Sequence, residues 1–181
     1  MNSVNVPVPG RVSGLAAEVA ADLTARQDGT DLGPSGPGPG AGGVRVRDDR
    51  TLVAKRLPDG DAHRVEARAR EALAGTSPFE VRVDRVDWFA EPTAGPGPVV
   101  YLAVESPGLW ELHDRLCQVF EPVTRLEGAD YTPHVTVARG GSLDAAKRLL
   151  GPVESLEWTV TELQFWDATQ KLVAGRVSLP A

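Results

Sequence analysis

Alternating apolar and polar residues mark short strands in this chain, and apolar residues three or four positions apart mark the helices between them. Val4, Val6 and Val8 alternate with Asn5 and Pro7, which predicts a short strand at an edge or end. Pro9-Gly10 then turns into a helix over 11–27, with Leu15, Val19 and Leu23 spaced by four. Residues 29–43 are Gly/Pro-rich and aperiodic, the pattern of a flexible surface loop too small to be an interdomain linker. Strands are predicted over 44–48 and 51–57, with a tight connection at Asp48-Asp49-Arg50. Pro58-Asp59-Gly60-Asp61 makes a turn and an N-cap for a helix over 62–74. Phe79, Val81 and Val83 alternate with Glu80, Arg82 and Asp84, predicting a strand over 79–88. After the loop Gly95-Pro96-Gly97-Pro98, residues 99–104 form an apolar strand. A helix starts at Ser106-Pro107 and runs to about 120, turning Leu109, Leu112, Leu116, Val119 and Phe120 inward. A strand beginning at His134, a helix from the cap Ser142 to about 150, and strands over 158–166 and 171–179, paired around the turn 167–170, complete the chain.

This order is nearly one β-α-β unit written twice. Val4-Asn5-Val6-Pro7-Val8-Pro9-Gly10 and Tyr101-Leu102-Ala103-Val104-Glu105-Ser106-Pro107-Gly108 each join an apolar strand to a helix through a Pro-Gly turn. If the 29–43 loop is an insertion, Thr51 falls opposite His134 and Val53 opposite Thr136; a slip of one residue would bring Arg50 opposite His134 instead. Trp88-Phe89 then matches Phe165-Trp166, and these aromatics are expected in the core or at strand ends.

Composition narrows the function. A chain of 181 residues, 41% apolar and 24% charged, reads as one domain with a sizeable core. The formal charge of −6 argues against a broad polyanion-binding surface, so any nucleic-acid contact should be local. Cys117 is the single cysteine, which leaves no internal disulfide and no Cys-based metal site; an inert buried thiol is expected. The three histidines show no metal-ligand spacing, and no cofactor is expected. No segment reaches membrane-span length and none resembles a signal peptide, so a cytoplasmic monomer that does not engage membranes is expected.

The chemistry concentrates in Tyr131-Thr132-Pro133-His134-Val135-Thr136-Val137-Ala138-Arg139. Strand alternation puts His134, Thr136 and Ala138 on one face, roughly 6–7 Å between His134 and Thr136, and Arg139 on the other. An imidazole beside a hydroxyl can exchange a proton while holding an anionic oxygen. Arg139 is a candidate phosphate contact from the cleft rim, and Tyr131 a candidate base-stacking residue or a loop anchor. Lys55 and Arg56 are adjacent, so only one can face a cleft; both would fit an exposed strand edge. His63 reads as an exposed helix-start residue and His113 as a helix boundary residue.

Within the duplicated chain, this run resembles the 2H phosphoesterase superfamily, and more narrowly its LigT-like branch of 2'-5' RNA ligases and RNA 2',3'-cyclic phosphodiesterases. The resemblance covers nearly the whole chain and includes the opening strand and turn and the helix Leu109-Trp110-Glu111-Leu112-His113-Asp114-Arg115-Leu116. It implies an α+β fold of two lobes built from duplicated β-α-β units, with two antiparallel-rich sheets facing a central cleft and the helices outside. It implies His134 as general acid or base and Thr136 as a donor to a phosphate oxygen, acting on RNA ends or nucleotide phosphodiesters without a metal. The family pattern has a second His-x-Thr/Ser strand. The matching strand here, Asp49-Arg50-Thr51-Leu52-Val53-Ala54-Lys55-Arg56-Leu57, has no histidine. Arg50 or Thr51 remains a candidate phosphate contact, but arginine cannot serve as a base. Two functions follow: a phosphodiesterase with one imidazole, or a member of the same family that binds nucleotide or RNA ends without turnover.

Overall fold

A computed structural model describes residues 2–28, 43–47 and 49–181, with the side chains of residues 27 and 28 left aside. Most of the 29–43 loop and Asp48 lie outside the described residues. The elements are β1 (Asn2–Val6), α1 (Gly10–Asp28), β2 (Arg45–Val46), β3 (Leu52–Leu57), α2 (Ala62–Leu73), β4 (Phe79–Phe89) and β5 (Val99–Glu105). They continue as α3 (Pro107–Cys117), a 3-10 turn (Gly128–Asp130), β6 (His134–Arg139), α4 (Leu143–Lys147), β7 (Gly151–Val160), β8 (Glu162–Asp167) and β9 (Leu172–Ser178).

The strands form an antiparallel sheet in the order β7-β4-β5-β6-β3-β1-β8-β9, with β2 beside β6. It divides into two four-stranded halves, β7-β4-β5-β6 and β3-β1-β8-β9, that meet where Leu52 of β3 pairs with Val135 of β6. The two expected sheets are therefore continuous along one line. The repeats also exchange strands. β4, from the first repeat, pairs with β5 of the second, and β8, from the second, pairs with β1 of the first. β2 and β3 follow one another along the same edge of β6, so their connection is not a hairpin.

The helices start where the sequence signals them. Asp61, Ser106 and Ser142 each accept a hydrogen bond from a backbone N–H of the first turn that follows. α1 buries Val12, Ala16, Val19, Ala20 and Leu23, and α3 buries Leu109, Leu112 and Leu116. The two Pro-Gly turns differ in what their glycines do. A Cβ at Gly108 would lie 2.4 Å from Cβ of Phe79, so α3 approaches β4 only because this residue has none, whereas Gly10 has open space around it. The predicted strand 158–166 is two strands, interrupted at Thr161, and β7 begins earlier than expected, at Gly151.

An ion pair sits inside this core. β3 is a central strand rather than an exposed edge, and the Lys55 side chain is fully buried. Its ammonium uses all three donors: to Glu127 Oε2 at 2.6 Å, the Arg56 carbonyl at 2.7 Å and the Glu121 carbonyl at 3.2 Å. Glu127 also accepts the backbone N–H groups of Arg56 and Val123 at 2.7 and 2.9 Å. Burial alone would raise the Glu127 pKa, but these donors hold it below its ordinary 4.5. Lys55→Met leaves a buried carboxylate without its cation and should destabilise the fold by about 3–5 kcal/mol in denaturant titration, with a smaller loss in Lys55→Met/Glu127→Leu. The carboxylate's contribution is present above its unfolded pKa and is lost as pH falls through the depressed folded value.

Candidate active site

β3 and β6 carry the same burial pattern. Thr51, Val53 and Arg56 are half-buried while Leu52, Ala54 and Lys55 are buried; His134, Thr136 and Arg139 are half-buried while Val135, Val137 and Ala138 are buried. The cause is a β-bulge at the corresponding place in each strand. Against β1, Lys55 pairs with Val4 and Val53 with Asn5, leaving Ala54 as the extra residue. Against β5, Ala138 pairs with Val100 and Thr136 with Tyr101, leaving Val137 as the extra residue. An extra residue reverses the alternation beyond it. The expectation that Arg139 points away from His134 fails for this reason, and Arg56 emerges toward the cleft in the same way.

The two strands run antiparallel through the Leu52–Val135 pair, which brings Thr51 beside Thr136 and Val53 beside His134. All four line one cavity of about 460 Å³, together with Tyr131, Arg139, Arg47, Arg56, Arg125, Phe89, Glu91 and Asp130. Arg50 is not among its walls. Its guanidinium donates to the carbonyls of Val137 (2.9 Å) and Thr136 (3.4 Å), and it borders a separate cavity of about 240 Å³ with Asn5, Gln164 and Trp166. The expected contact of Arg50 with the cleft is thus corrected: the bond to β6 carbonyls draws this side chain into the junction, and Thr51 takes the place opposite.

His134 is held by its surroundings. Its Nδ1 donates to the Thr132 carbonyl at 2.7 Å, which leaves Nε2 as the nitrogen free to take a proton. Phe89 meets the imidazole edge-on with centroids 5.2 Å apart, and Tyr101 tilts against it at 5.1 Å. Burial lowers its pKa below the ordinary 6.5; the Thr132 bond opposes this, and Arg56 and Arg139 add to it. A pKa below 6.5 favours the neutral ring at pH 7.

Tyr131 is a wall, not a free stacking platform. Its ring is buried and lies parallel to His113, centroids 3.7 Å apart, and its hydroxyl donates to the Val53 carbonyl at 2.7 Å. Burial pushes the Tyr131 phenol far above its ordinary 10. His113, expected at a boundary, is fully buried. Its Nδ1 donates to the Ala54 carbonyl at 2.7 Å and its Nε2 accepts from the Gly128 N–H at 2.9 Å. Cys117 is half-buried beside it, with Sγ 3.4 Å from Nε2. His63 is exposed on α2, as expected.

The cavity is electropositive in an acidic chain. Four arginines, Arg47, Arg56, Arg125 and Arg139, line it against two carboxylates, Glu91 and Asp130. Arg139 donates to the Ala94 carbonyl at 2.9 Å; burial, then Arg47 and Arg56, lower its pKa, a sign of cations crowded together. Arg125 adopts φ 64°, a left-handed conformation costing a residue with a Cβ roughly 1–2 kcal/mol. Sequence reasoning did not find Arg47 or Arg125, and it placed Phe89 only in packing. For Arg56 a signal existed: an arginine five residues after Thr51 repeats the one five residues after His134.

The chain belongs to the 2'-5' RNA ligase superfamily, whose family model matches residues 51–171. Among solved structures it is similar to TT0787 of Thermus thermophilus, with a TM-score of 0.67 at 19% identity over 98% of this chain and 97% of that one. It is also similar to Escherichia coli LigT solved with 3'-AMP, at a TM-score of 0.58 and 18% identity over 99% and 98% of the two chains. A structure described as a phosphoesterase matches with a TM-score of 0.60 at 18% identity over 99% of this chain and 98% of that one. No curated protein sequence matches.

Titration of the imidazole by 15N NMR should give a His134 pKa below 6.5 with the proton on Nδ1 in the neutral ring, and Arg56→Ala or Arg139→Ala should each move that pKa upward.

Proposed function

We propose that this protein is a metal-independent phosphodiesterase acting on RNA 2',3'-cyclic phosphates or 2',5'-linked nucleotides, with His134 as the acid/base group and Thr136 holding a phosphate oxygen. The observation that carries this reading is a neutral imidazole, tethered through Nδ1, at the wall of an arginine-lined cavity in a chain of this family. LigT, which shares the fold, has been solved with 3'-AMP and with NADP+, and a nucleotide phosphate suits the charge of the cavity here.

For a cyclic phosphate the chemistry balances as follows. Nε2 of His134 takes a proton from water as the water oxygen bonds to phosphorus. The bond from phosphorus to one ribose oxygen breaks, and that oxygen takes its proton from solvent. The imidazolium then returns its proton to solvent. Thr136 and Thr51 donate hydrogen bonds to non-bridging oxygens, and Arg139 balances the charge that builds on them. Where the family pattern has a second histidine, this chain has Thr51, and neither His63 nor His113 lies in the cavity wall. Absence of a positioned general acid typically costs about 10²–10⁴ in rate, so turnover should be slow.

That same observation favours a second reading, a protein that binds nucleotide or RNA ends and does not turn them over. Hydrolysis of a 2',3'-cyclic nucleotide and of a 2',5'-linked dinucleotide separates the two. On the first reading, His134→Ala lowers kcat about 10²-fold or more, and the wild-type rate climbs with pH along one limb to a plateau, because the base form fills above a pKa lying under 6.5. Thr51→His should then raise kcat and bend the profile into a bell. Activity indifferent to His134→Ala sinks the catalytic reading; saturable nucleotide binding without turnover establishes the second.

A further inference from the structure

The second cavity, of about 240 Å³, opens on the same face of the sheet as the arginine-lined one. Asn5 of β1 pairs directly with Val53 of β3 on one side and with Gln164 of β8 on the other, and directly paired residues point to one face of a sheet. Val53 lines the arginine-lined cavity, while Asn5 and Gln164 line its neighbour. Thr51 belongs to both walls, so a phosphate bonded to Thr51 stands at the boundary between the two.

The two walls differ in chemistry. Among the described residues, the charged groups of the second cavity are Asp49 and Arg50, one of each sign, and Arg50 is bonded to β6 carbonyls. Its other polar side chains are neutral: the carboxamides of Asn5 and Gln164 and the Ser13 hydroxyl, beside the half-buried Trp166. Asn5 is 3% exposed, and its Oδ1 has no hydrogen-bond partner among the described residues. An amide oxygen buried without a donor carries a cost that a donor brought by a ligand removes.

We infer that this cavity is a nucleobase subsite, and that the protein prefers phosphodiesters with a nucleoside on each side of phosphorus to nucleoside 2',3'-cyclic phosphates. With the phosphate between Thr51 and Thr136, the nucleoside that a cyclic phosphate also has stays in the arginine-lined cavity. The 5'-linked nucleoside, which only a dinucleotide has, crosses Thr51 into the second. Its base lies against Trp166, as unpaired bases lie on aromatic side chains, and turns its edge to the carboxamides. A carboxamide holds a donor and an acceptor side by side, which matches the paired groups on a base edge such as that of adenine. A second phosphate finds no such match, because Asp49 offsets Arg50 in a wall that is otherwise neutral. The duplication supports the assignment. Trp166 matches Phe89 of the other repeat, and each lines one of the two cavities. Phe89 packs against Tyr101 and His134, whereas Trp166 has no ring against it among the described residues.

The inference rests on the nucleotide-phosphate reading of the first cavity but needs no turnover, so equilibrium binding tests it. Amide NMR follows titration of the full chain with 2',5'-linked diadenosine monophosphate and with the same compound lacking the base of its 5'-linked nucleoside. The two ligands carry the same phosphodiester charge, and the spectra are read before any hydrolysis shows in them. Wild type should bind the complete dinucleotide about tenfold or more tightly than its base-less counterpart, the worth of stacking one base. The side-chain amide signals of Asn5 and Gln164 should shift with the complete dinucleotide and stay in place with the other. Gln164→Ala and Trp166→Leu should each bring the affinity ratio close to one, whereas Thr136→Ala should weaken both ligands and keep it. Gln164→Ala trims a half-buried side chain, so it tests the subsite even if Trp166→Leu loosens the pairing of β8 with β1. A wild-type ratio near one, or a preference that survives both Gln164→Ala and Trp166→Leu, overturns the base subsite alone. If neither ligand binds wild type, the nucleotide reading of the first cavity falls with it.

Discussion

Where β3 meets β6, the two halves of the sheet share one paired position, Leu52 with Val135, and the site is built around that meeting. Antiparallel backbones crossing there bring residues from the two repeats side by side without any loop having to fold over them. Each strand carries one bulge beyond the meeting point, at Ala54 and Val137. A regular strand would send every second side chain toward the cleft and turn both arginines into the core. With one extra residue apiece, Thr51, Val53 and Arg56 share a face, as do His134, Thr136 and Arg139.

Support for this junction comes from polar groups buried behind it. Lys55 enters the core as a consequence of the bulge next to it, and a buried ammonium is tolerable only with every donor satisfied. Glu127 and two carbonyls supply that, and in doing so fasten the 121–128 loop to β3. His113 and Tyr131 continue the same seam, one bonded to the Ala54 carbonyl and the other to the Val53 carbonyl. The strand that carries Arg56 into the cavity is thus tied to the core from behind.

The electrostatics of the cavity converge on His134. Desolvation keeps the imidazole neutral, and neighbouring guanidinium groups push it the same way. Those guanidinium groups would attract phosphate, whose arrival brings negative charge that favours the imidazolium. On the proposed function, His134 would therefore become easier to protonate once a phosphate is bound. On the first-repeat strand the residue that faces this cavity from the place matching His134 is Thr51, a hydroxyl in place of an imidazole.

Most elements were legible from periodicity, caps and Pro-Gly turns, because those signals are local. The repeat, and with it the match of Thr51 to His134, was legible too, since it needs only the order of elements and the length of one insertion. His134 and Thr136 stood out because a short strand with alternate polar residues exposes its chemistry to inspection. The bulges, however, are a property of pairing between strands far apart in sequence. Nothing in Val53-Ala54-Lys55-Arg56 says where an unpaired residue will fall, so the side on which Arg56 and Arg139 emerge had to come from the tertiary structure. The same holds for Arg50, drawn to β6 carbonyls, and for Lys55, whose burial depends on a carboxylate 72 residues away. Sequence by itself determined the strands, the duplication and one imidazole with its hydroxyl neighbour. Tertiary pairing decided which charges reach the cavity, because a single extra residue in a strand reverses the direction of every side chain after it.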